Sequence, residues 1–452
     1  MTCPRVLVAG TSSGCGKTTA VCALLLLLKR RALAVSSLKC GPDYLDPMFH
    51  RAILQTPSAN LDPFFCDKNL LRYLLSENAG RDLTLLEGVM GYYDGTGESG
   101  TDNSTYTVAQ KTGTPVVLLI NARGAAASVL AVLEGFVRFQ PDSAICGVIF
   151  NQISPSVYEA CKKGIQKRFS RKVLPLGYLP KLPEDCLLSS RHLGLVTPQE
   201  VPDLTARLEK LADLCENTLD ISGLLALAKT AGPLSFHPPL LPLLPPIRLA
   251  AAKDRAFCFF YEETLRLFRK MGAQIEFFSP LADEPVPEQA DGLLLPGGYP
   301  ELYADRLAQN RRAKESVRHA LTDGMPTLAE CGGFQYLGAA LDGREMCGIL
   351  PHHSHNTGRL VRFGYVTLTS HTDGLLGKAG LILPAHEFHY YDSTQNGSSF
   401  TAVTPGKRTW DCIVHTDTLY AGYPHLYLWA SLPAAQSFYQ KCLSYRQRKE
   451  LS

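Results

Sequence analysis

The 452-residue sequence lacks long hydrophobic runs and any strong charge of one sign. The longest apolar stretch near its start, residues 20–28, is much shorter than the ~20 residues of a membrane-spanning helix, so we expect no membrane association. Lysine and arginine number 45 against 42 acidic residues, a balance that gives no indication of nucleic-acid binding. No basic and then apolar leader precedes the first predicted strand, which favours a cytoplasmic protein.

Paired cysteine motifs are also absent. The 14 cysteines are scattered, and no two of them form a Cys-x-x-Cys pair, which excludes zinc-ribbon and thioredoxin-like sites. In a cytoplasmic protein we expect most of them to be reduced thiols that pack as small apolar groups. Cys331 needs a different interpretation, which its neighbours in the sequence provide.

The sequence does contain a regular alternation of apolar runs and helical patterns. In the N-terminal half, helical patterns separate several short apolar runs at 5–9, 34–39, 83–87, 115–121 and 145–151. This rhythm predicts an α/β fold with a parallel sheet covered on both faces. A proline-rich stretch then interrupts it, and proline disfavours helix. We therefore predict one α/β domain over 1–231, an extended linker over 232–246 and a second α/β domain over 247–452.

Residues 10–19 read Gly-Thr-Ser-Ser-Gly-Cys-Gly-Lys-Thr-Thr, between a predicted strand and a predicted helix. Backbone N–H groups of such a loop bind phosphate oxygens, and we expect Lys17 to reach the β- and γ-phosphates of ATP. The match to Gly-x-x-x-x-Gly-Lys-[Ser/Thr] is imperfect, because Thr11 occupies the first glycine position. Ser12 stands where partition-type ATPases carry a lysine. The predicted nucleotide-binding residues are Gly14, Gly16, Lys17, Thr18 and Thr19.

Two acidic motifs follow predicted strands, at the sheet edge where α/β proteins bind ligands. Glu87 ends the run 83–87 and is a candidate Mg²⁺ ligand, because Mg²⁺ prefers oxygen donors. The stretch 39–47 reads Lys-Cys-Gly-Pro-Asp-Tyr-Leu-Asp-Pro, and its prolines stiffen it. It favours a substrate platform that carries Lys39, Asp43 and Asp46, with a plain structural turn as the alternative. The predicted metal ligands are Thr18, Asp43 and Glu87.

Cys331 lies in Thr-Leu-Ala-Glu-Cys-Gly-Gly, where a predicted strand turns into a helix. A thiol at such a turn is exposed, and a helix N-terminus lowers its pKa, so Cys331 is a candidate nucleophile. A buried, inert thiol is the alternative. Gly297 and Gly298 end another strand, and their N–H groups are candidate donors of an oxyanion hole. Spacing alone does not select the base among the twelve histidines. We interpret 352–355, His-His-Ser-His, as a polar loop rather than a metal site.

These motifs together resemble the corrin-amidating, glutamine-dependent amidoligases of the cobyrinate a,c-diamide synthase family. The similarity covers nearly the whole chain, through AGTSSGCGKTT, KCGPDYLDPMFH, EGVMGYYDG, LLLPGGYPELYA, AECGGFQYLG and HEFHYY. It implies an N-terminal P-loop domain of the dethiobiotin-synthetase type and a C-terminal class I glutamine amidotransferase domain. It also implies that His425 is the base for Cys331 and that functional positions include Asp43, Tyr44, Glu87 and Asp94.

The resemblance implies a reaction as well. Ammonia from glutamine would amidate the a and c side-chain carboxylates of cobyrinic acid through acyl phosphates, with ATP and Mg²⁺, in cobalamin biosynthesis. Leu426 and Tyr427 follow His425, so the glutamate of the His-x-Glu triad found in many class I glutaminases is absent, as in the dyad version that the corrin amidoligases resemble. Tyr92 departs from the family pattern, because it replaces a more usual apolar residue, and we interpret it as tuning substrate contact.

Several alternatives stay open at this point. The tetrapyrrole could be hydrogenobyrinate or nickel-sirohydrochlorin instead of cobyrinic acid. A partition-type ATP-gated binding protein with a silent amidotransferase domain is a rival of another class, although the complete motif around Cys331 weighs against it. A homodimer is the assembly that we consider for the protein.

Overall fold

In the computed structural model, which describes residues 3–52, 54–97, 100–169, 172–183, 186 and 204–451, the chain divides into two units. The units are Met1–Pro239 and Leu240–Ser452, and the division lies within the proline-rich stretch 232–246. Each unit is built on a central sheet with parallel strands, so the α/β fold class predicted from the sequence is confirmed.

The first unit contains one parallel seven-stranded sheet in the order β3-β2-β4-β1-β5-β6-β7. Its strands are β1 Arg5–Gly10, β2 Val35–Cys40, β3 Ser58–Leu61, β4 Leu83–Glu87, β5 Val116–Asn121, β6 Ile145–Asn151 and β7 Leu174–Leu179. The three strands β2, β4 and β1 are buried along their whole length, as expected for a sheet covered on both faces. Their register sets Glu87 beside both Lys39 and Val8 at the carboxyl edge of the sheet.

Helices cover this sheet: α1 Lys17–Arg30, α2 Leu45–Ala52, α3 Lys68–Glu77, α4 Thr105–Thr112, α5 Ser128–Phe139, α6 Pro155–Phe169, α7 Leu204–Cys215 and α8 Ile221–Ala228. Residues 20–28 of α1 are all buried, in one core with the sheet, α7 and α8. A helix that is covered on every side is apolar all round. Across the described ranges, no helix combines the length and the apolar character that crossing a membrane requires.

The proline-rich stretch 232–246 forms neither helix nor strand, and hydrogen bonds hold both of its ends. At its start, Arg5 donates to the carbonyl of Gly232 at 2.9 Å, and Asn69 exchanges two hydrogen bonds with the backbone of His237. At its end, the Tyr439 hydroxyl donates to the carbonyl of Pro245 at 3.0 Å. Each end of the stretch is therefore part of the unit that it adjoins.

The second unit has a six-stranded sheet in the order β20-β21-β11-β10-β8-β9, in which only the edge strand β20 is antiparallel. Its strands are β8 Ile247–Ala252, β9 Ala273–Phe278, β10 Gly292–Leu295, β11 Thr327–Glu330, β20 Val414–His415 and β21 Leu419–Gly422. Its helices are α9 Glu262–Met271, α10 Ala304–Gln309, α11 Arg311–Thr322, α12 Gly332–Leu337 and α13 Leu432–Leu451.

Two smaller sheets complete the second unit. A four-stranded sheet contains β12 Ala340–Leu341, β13 Arg344–Glu345, β14 His353–Asn356 and β17 Tyr391–Ser393. A five-stranded antiparallel sheet contains β15 Arg362–Ser370, β16 Ile382–His389, β18 Phe400–Val403, β19 Thr409–Cys412 and β22 His425–Leu426. The short strand β22 carries His425, so the five-stranded sheet positions this residue.

The interpretation of 352–355 as a polar loop is wrong. His353–Asn356 is strand β14, and the ring of His352 is buried and stacks on Phe334 with ring centres 4.0 Å apart. Local polarity did not show that β14 pairs with β12 and β17, which are distant in sequence. Within the described residues, no group of three or more His, Cys, Asp and Glu side chains could share a metal ion.

The buried ring of His352 makes the stability of the second unit depend on pH. Burial lowers the pKa of His352 to about 4 from the ordinary value of 6.5. Between pH 6.5 and pH 4 the His352 ring is therefore protonated in the unfolded chain but neutral in the folded chain. The buried neutral ring contributes fully to the free energy of unfolding above pH 6.5, and this contribution is lost as the pH falls toward 4. When the pH falls from 7 to 5, the free energy of unfolding of the parent protein should decrease by ~2 kcal/mol more than that of the His352→Phe variant.

Urea unfolding at both pH values, followed by tryptophan fluorescence, measures this difference. Both tryptophans, Trp410 and Trp429, lie in the second unit, so the signal reports that unit alone. The control is His355→Phe at an exposed position of β14, which should leave the pH dependence as it is. If the free energy of unfolding depends on pH equally in His352→Phe and in the parent protein, His352 is not the source of the pH dependence.

Candidate active sites

The loop between β1 and α1 curls around the start of the helix. Gly14 and Gly16 have left-handed backbones, with φ of +72° and +99°. A Cβ on Gly16 would lie 2.3 Å from Asn151 Nδ2, and this amide donates to the carbonyl of Cys15 at 2.9 Å. Glycine is therefore required at position 16, because the loop passes directly against the end of β6.

Lys17 is buried at the centre of this loop. Its Nζ donates to the carbonyl of Ser12 at 3.0 Å and also to the carbonyl of Met90. Burial lowers the pKa of Lys17. Neutral carbonyls bind an ammonium less strongly than phosphate oxygens do, so a bound nucleotide can replace them.

Four side chains converge where β2 and β4 end. Thr18 Oγ1 donates to Glu87 Oε1 at 2.7 Å, and Lys39 Nζ donates to the same oxygen at 2.9 Å. Lys39 also donates to Asp46. Lys39, Asp46 and Glu87 are all buried. The structure thus brings together four of the residues that the sequence analysis predicted, from three separate motifs.

The charges of this cluster do not balance. Burial raises the pKa of Glu87 to about 7, with a further contribution from Asp46. Burial would lower the pKa of Lys39, but the carboxylates of Asp46, Glu87 and Asp43 raise it well above its usual range. Burial would raise the pKa of Asp46, but the charge of Lys39, together with His50 and the hydrogen bonds that Asp46 makes, lowers it. One ammonium therefore faces several carboxylates, and a second cation would stabilise them.

Thr18 and Glu87 fit the donor set of Mg²⁺, which prefers hard oxygen ligands. Glu87 Oε2 is buried, and within the described residues it has no hydrogen-bond partner; His50 Nε2 lies 3.6 Å from it. Mg²⁺ at a nucleotide site usually takes one or two protein ligands and completes its shell with phosphate oxygens and water. A hydroxyl and a carboxylate oxygen match that requirement.

Of the other predicted substrate residues, Asp43 lies beside this cluster and Asp94 bonds elsewhere. Asp43 Oδ1 accepts from the N–H groups of Leu45 and Asp46, at 2.9 and 3.2 Å, and so caps α2. Its Oδ2 lies 3.9 Å from Lys39 Nζ, and burial raises its pKa to about 6. Tyr44 is buried immediately before α2. Asp94 accepts instead from the N–H of Gly91 at 2.8 Å, within its own turn.

His50 and Asn151 belong to no role predicted from the sequence motifs. His50 lies four residues after Asp46, which places both on one face of α2, and its Nδ1 is 2.8 Å from Ser37 Oγ. Burial lowers the pKa of His50 to about 4, so its ring is neutral at pH 7. The interpretation of Tyr92 is wrong, because Tyr92 is fully buried and its hydroxyl donates to the carbonyl of Ser143.

The cap geometry gives a direct test of Asp43. Asparagine caps a helix as well as aspartate does, so Asp43→Asn should keep α2 and lose only the charge. We expect it to slow ATP-dependent turnover by ~10²-fold, the scale of losing a positioned charged group. The matched control is Asp67→Asn, because Asp67 caps α3 by accepting from the N–H of Leu70.

Steady-state kinetics at saturating ATP and acid substrate separate three outcomes for Asp43. A lower kcat supports a role in the chemical step. An unchanged kcat with a raised KM would make it a binding residue. If both constants stay as in the Asp67→Asn control, the loop 39–47 is a structural turn.

The second unit places Cys331 between the end of β11 and the start of α12. Its φ of +48° and ψ of −102° are strained for a residue with a side chain. A Cβ on Gly333 would lie 2.1 Å from the carbonyl oxygen of Leu295. We call this strained strand-to-helix turn at Cys331 the elbow. It can form only because position 333 is a glycine, and strain of this kind is typical of functional sites.

His425 and Cys331 flank the same glycine. A Cβ on Gly297 would lie 2.4 Å from His425 Cε1 and 3.4 Å from Cys331 Cβ. A Cβ on Gly332 would lie 3.1 Å from the backbone nitrogen of Gly298. The first N–H groups of α12 have no acceptor within the helix, so Gly298 and the start of α12 offer adjacent donors to an oxyanion.

Acidic and histidine side chains surround this pair. The expectation of an exposed thiol with a lowered pKa is wrong: Cys331 is buried, and burial raises its pKa, with a further contribution from the charge of Glu301. The resting thiol is therefore protonated. Burial also raises the pKa of Glu301 to about 7. His386, which pairs with His425 across β16 and β22, has its pKa lowered to about 3 by burial and is neutral. Cys331 therefore needs a base to become a nucleophile.

Comparisons with known proteins find a different family match in each of the two units. Residues 6–196 match the CobQ/CobB/MinD/ParA nucleotide binding domain family, and residues 248–432 match the CobB/CobQ-like glutamine amidotransferase domain family. A relative from Listeria monocytogenes serovar 1/2a is 38% identical over 441 residues, covering 95% of this chain and 97% of that protein.

Two further relatives cover both chains almost completely. The protein from Thermoplasma volcanium is 35% identical, and the alignment covers 100% of each chain. The protein from Priestia megaterium is 34% identical, with 98% of each chain covered. All three relatives carry the name cobyrinate a,c-diamide synthase.

Proposed function

Because the chain belongs to the cobyrinate a,c-diamide synthase family, we propose that it amidates the a and c side-chain carboxylates of cobyrinic acid. Glutamine is the nitrogen donor, and ATP activates each carboxylate as an acyl phosphate. The second unit hydrolyses glutamine, and the first unit carries out the ATP-dependent step. The reaction belongs to cobalamin biosynthesis.

Glutamine hydrolysis uses Cys331 and His425. His425 takes the proton of the thiol, and Cys331 Sγ attacks the side-chain carbonyl carbon of glutamine. The N–H groups at Gly298 and at the start of α12, with Gly297 beside them, stabilise the oxyanion of the tetrahedral intermediate. The C–N bond then breaks, His425 returns the proton to the leaving nitrogen as ammonia forms, and water cleaves the thioester to glutamate.

The ATP-dependent step uses the loop 10–16 and the cluster beside it. Lys17 and the loop N–H groups hold the phosphates, and a corrin carboxylate oxygen attacks the γ-phosphorus as ADP leaves. Mg²⁺, held by Thr18 and Glu87 with Asp43 as a further predicted ligand, would neutralise the phosphate charge. Lys39 supplies a fixed positive charge. Ammonia then attacks the acyl carbon, and the phosphate leaves as the amide forms.

The observation that carries this proposal is the elbow at Cys331, which holds a thiol at φ +48° beside the same glycine as His425. A partition-type ATPase with a silent second domain has no use for a strained cysteine, because strain costs about 1–3 kcal/mol and persists only where the surrounding structure enforces it. The elbow therefore favours an active glutaminase over that rival.

Incubation of the purified chain with glutamine, ATP, Mg²⁺ and cobyrinic acid tests the proposal. We expect the diamide as product, with one ADP and one glutamate formed for each amide. Parallel reactions with hydrogenobyrinic acid and nickel-sirohydrochlorin identify the preferred tetrapyrrole. ATP hydrolysis without glutamate formation would instead support the partition-type alternative. A cytoplasmic location and a homodimeric assembly stay predictions.

A further inference from the structure

The family pattern lacks a carboxylate two residues after His425, yet a different carboxylate lies beside that ring. Glu330 is the last residue of β11, immediately before Cys331. Its Oε2 lies 3.6 Å from His425 Nδ1, and its Oε1 accepts from the N–H of Leu426 at 3.1 Å. One side chain thus contacts both the imidazole of His425 and the backbone of the strand β22 that carries it.

We propose that Glu330 is the positioning residue that orients His425 for proton transfer with Cys331, an inference that rests on the proposed glutamine hydrolysis. In a catalytic triad the carboxylate contacts the ring nitrogen that faces away from the nucleophile, where it fixes the tautomer and stabilises the imidazolium. In this chain the carboxylate with that role is Glu330, which immediately precedes the nucleophile Cys331 in the sequence.

The orientation of the ring agrees with this role. Cε1 and Nε2 of His425 are the atoms nearest to a Cβ built on Gly297, which also lies 3.4 Å from Cys331 Cβ. Nδ1 faces Glu330. The imidazole therefore lies between the elbow and the carboxylate. At 3.6 Å the contact is an ion-pair distance, and catalytic hydrogen bonds are often this long before substrate binds.

The surroundings of Glu330 strengthen the effect of its charge. Its side chain is only 17% exposed, and the cavity beside it is lined mainly by apolar side chains, among them Phe260, Leu265, Leu294 and Leu428. A charge next to apolar walls acts in a low effective dielectric, so an imidazolium at His425 would gain more from Glu330 than it would in water.

Other titratable groups near the elbow have different partners. Glu387 lies 3.6 Å from Arg362 and 3.4 Å from His389, and the neutral His386 carries no charge to offer. Glu301 acts on the thiol itself, because its charge raises the pKa of Cys331. Within the described residues, the other titratable groups near Cys331 and His425 are Glu301, Glu330, His386, Glu387, Tyr420 and Tyr423.

The variant Glu330→Gln separates positioning from support of the backbone. Glutamine keeps an oxygen that can accept from Leu426 N–H but removes the charge that faces His425. We expect the kcat of glutamine-dependent amidation in the full chain to fall by ~10²-fold or more, with KM for glutamine unchanged. Amidation with ammonium as nitrogen source should continue at the parental rate. The control is Glu276→Gln, at an exposed position of β9.

A second measurement needs no turnover of glutamine. The rate at which iodoacetamide alkylates Cys331 at pH 7, followed by peptide mass spectrometry, reports the thiolate that His425 generates. Glu330→Gln should slow this alkylation and Glu276→Gln should not. Cys331→Ala supplies the blank against the other cysteines.

The kinetic and alkylation results test the role of Glu330 separately from the proposed function. If Glu330→Gln keeps the parental kcat and alkylation rate while Glu330→Ala loses both, Glu330 only supports β22 and the inference is overturned. If the parent protein hydrolyses no glutamine even with cobyrinic acid present, the proposed function fails, and the alkylation rates still decide the role of Glu330.

Discussion

Replacing Cys331 with alanine is expected to abolish glutamine-dependent amidation and to leave ammonium-dependent amidation intact. The loss should reach ~10⁴-fold or more, because removing a nucleophile removes the covalent route altogether. Ammonium bypasses the thiol, since the phosphate loop and the Lys39–Glu87 cluster belong to the other unit. Initial rates of diamide formation with each nitrogen source measure the two effects.

Cys347→Ala is the matched control for this change. Cys347 is a buried thiol in the same core as Cys331, without a strained backbone. Its removal should cost stability without selective loss of glutamine use. Glutamine-dependent synthesis that persists in Cys331→Ala would show that the nucleophile is wrongly assigned.

Lys17→Ala and Glu87→Gln are expected to stop amidation from both nitrogen sources. Lys17 lies within the phosphate loop, and Glu87 accepts from Thr18 and Lys39, so each change removes charge where the phosphates would bind. A loss of ~10³-fold or more is the scale for one positioned electrostatic group in phosphoryl transfer or oxyanion stabilisation. ATP hydrolysis in the presence of cobyrinic acid should fall by the same factor.

Lys162→Ala, on the exposed face of α6, controls for the loss of a lysine from the same unit. The decisive reading is the ammonium-dependent rate, because it isolates the ATP-dependent step. Either variant working at the parental rate with ammonium would exclude that residue from the step.

Much of the fold could be predicted from the sequence because its signals are local. The apolar runs predicted at 83–87 and 145–151 are the strands Leu83–Glu87 and Ile145–Asn151, with the predicted bounds. Each is a short run between glycine, proline or polar residues, and strand and helix periods are visible within such a run.

The residues that the sequence did not reveal depend on pairing between distant segments. Leu426 and Glu330 are 96 residues apart, and only the alignment of β22 with β16 brings His425 to β11. The same holds for Asn151, whose contact with Cys15 spans 136 residues. Glu330 does adjoin the predicted nucleophile in the sequence, but most glutamates face solvent, so adjacency alone did not point to a contact with His425.

The buried helix α1 has a consequence for how the chain is made in the cell. Its apolar residues 20–28 leave the ribosome early, yet α7 and α8, which complete their cover, end at Ala228. At 5–20 residues per second this delay lasts roughly 10–40 s. During that time the nascent chain exposes a leucine-rich segment, the kind of surface that aggregates or recruits chaperones. Slower growth at low temperature and extra chaperone should therefore raise the soluble yield, and fragments that end before residue 204 should precipitate.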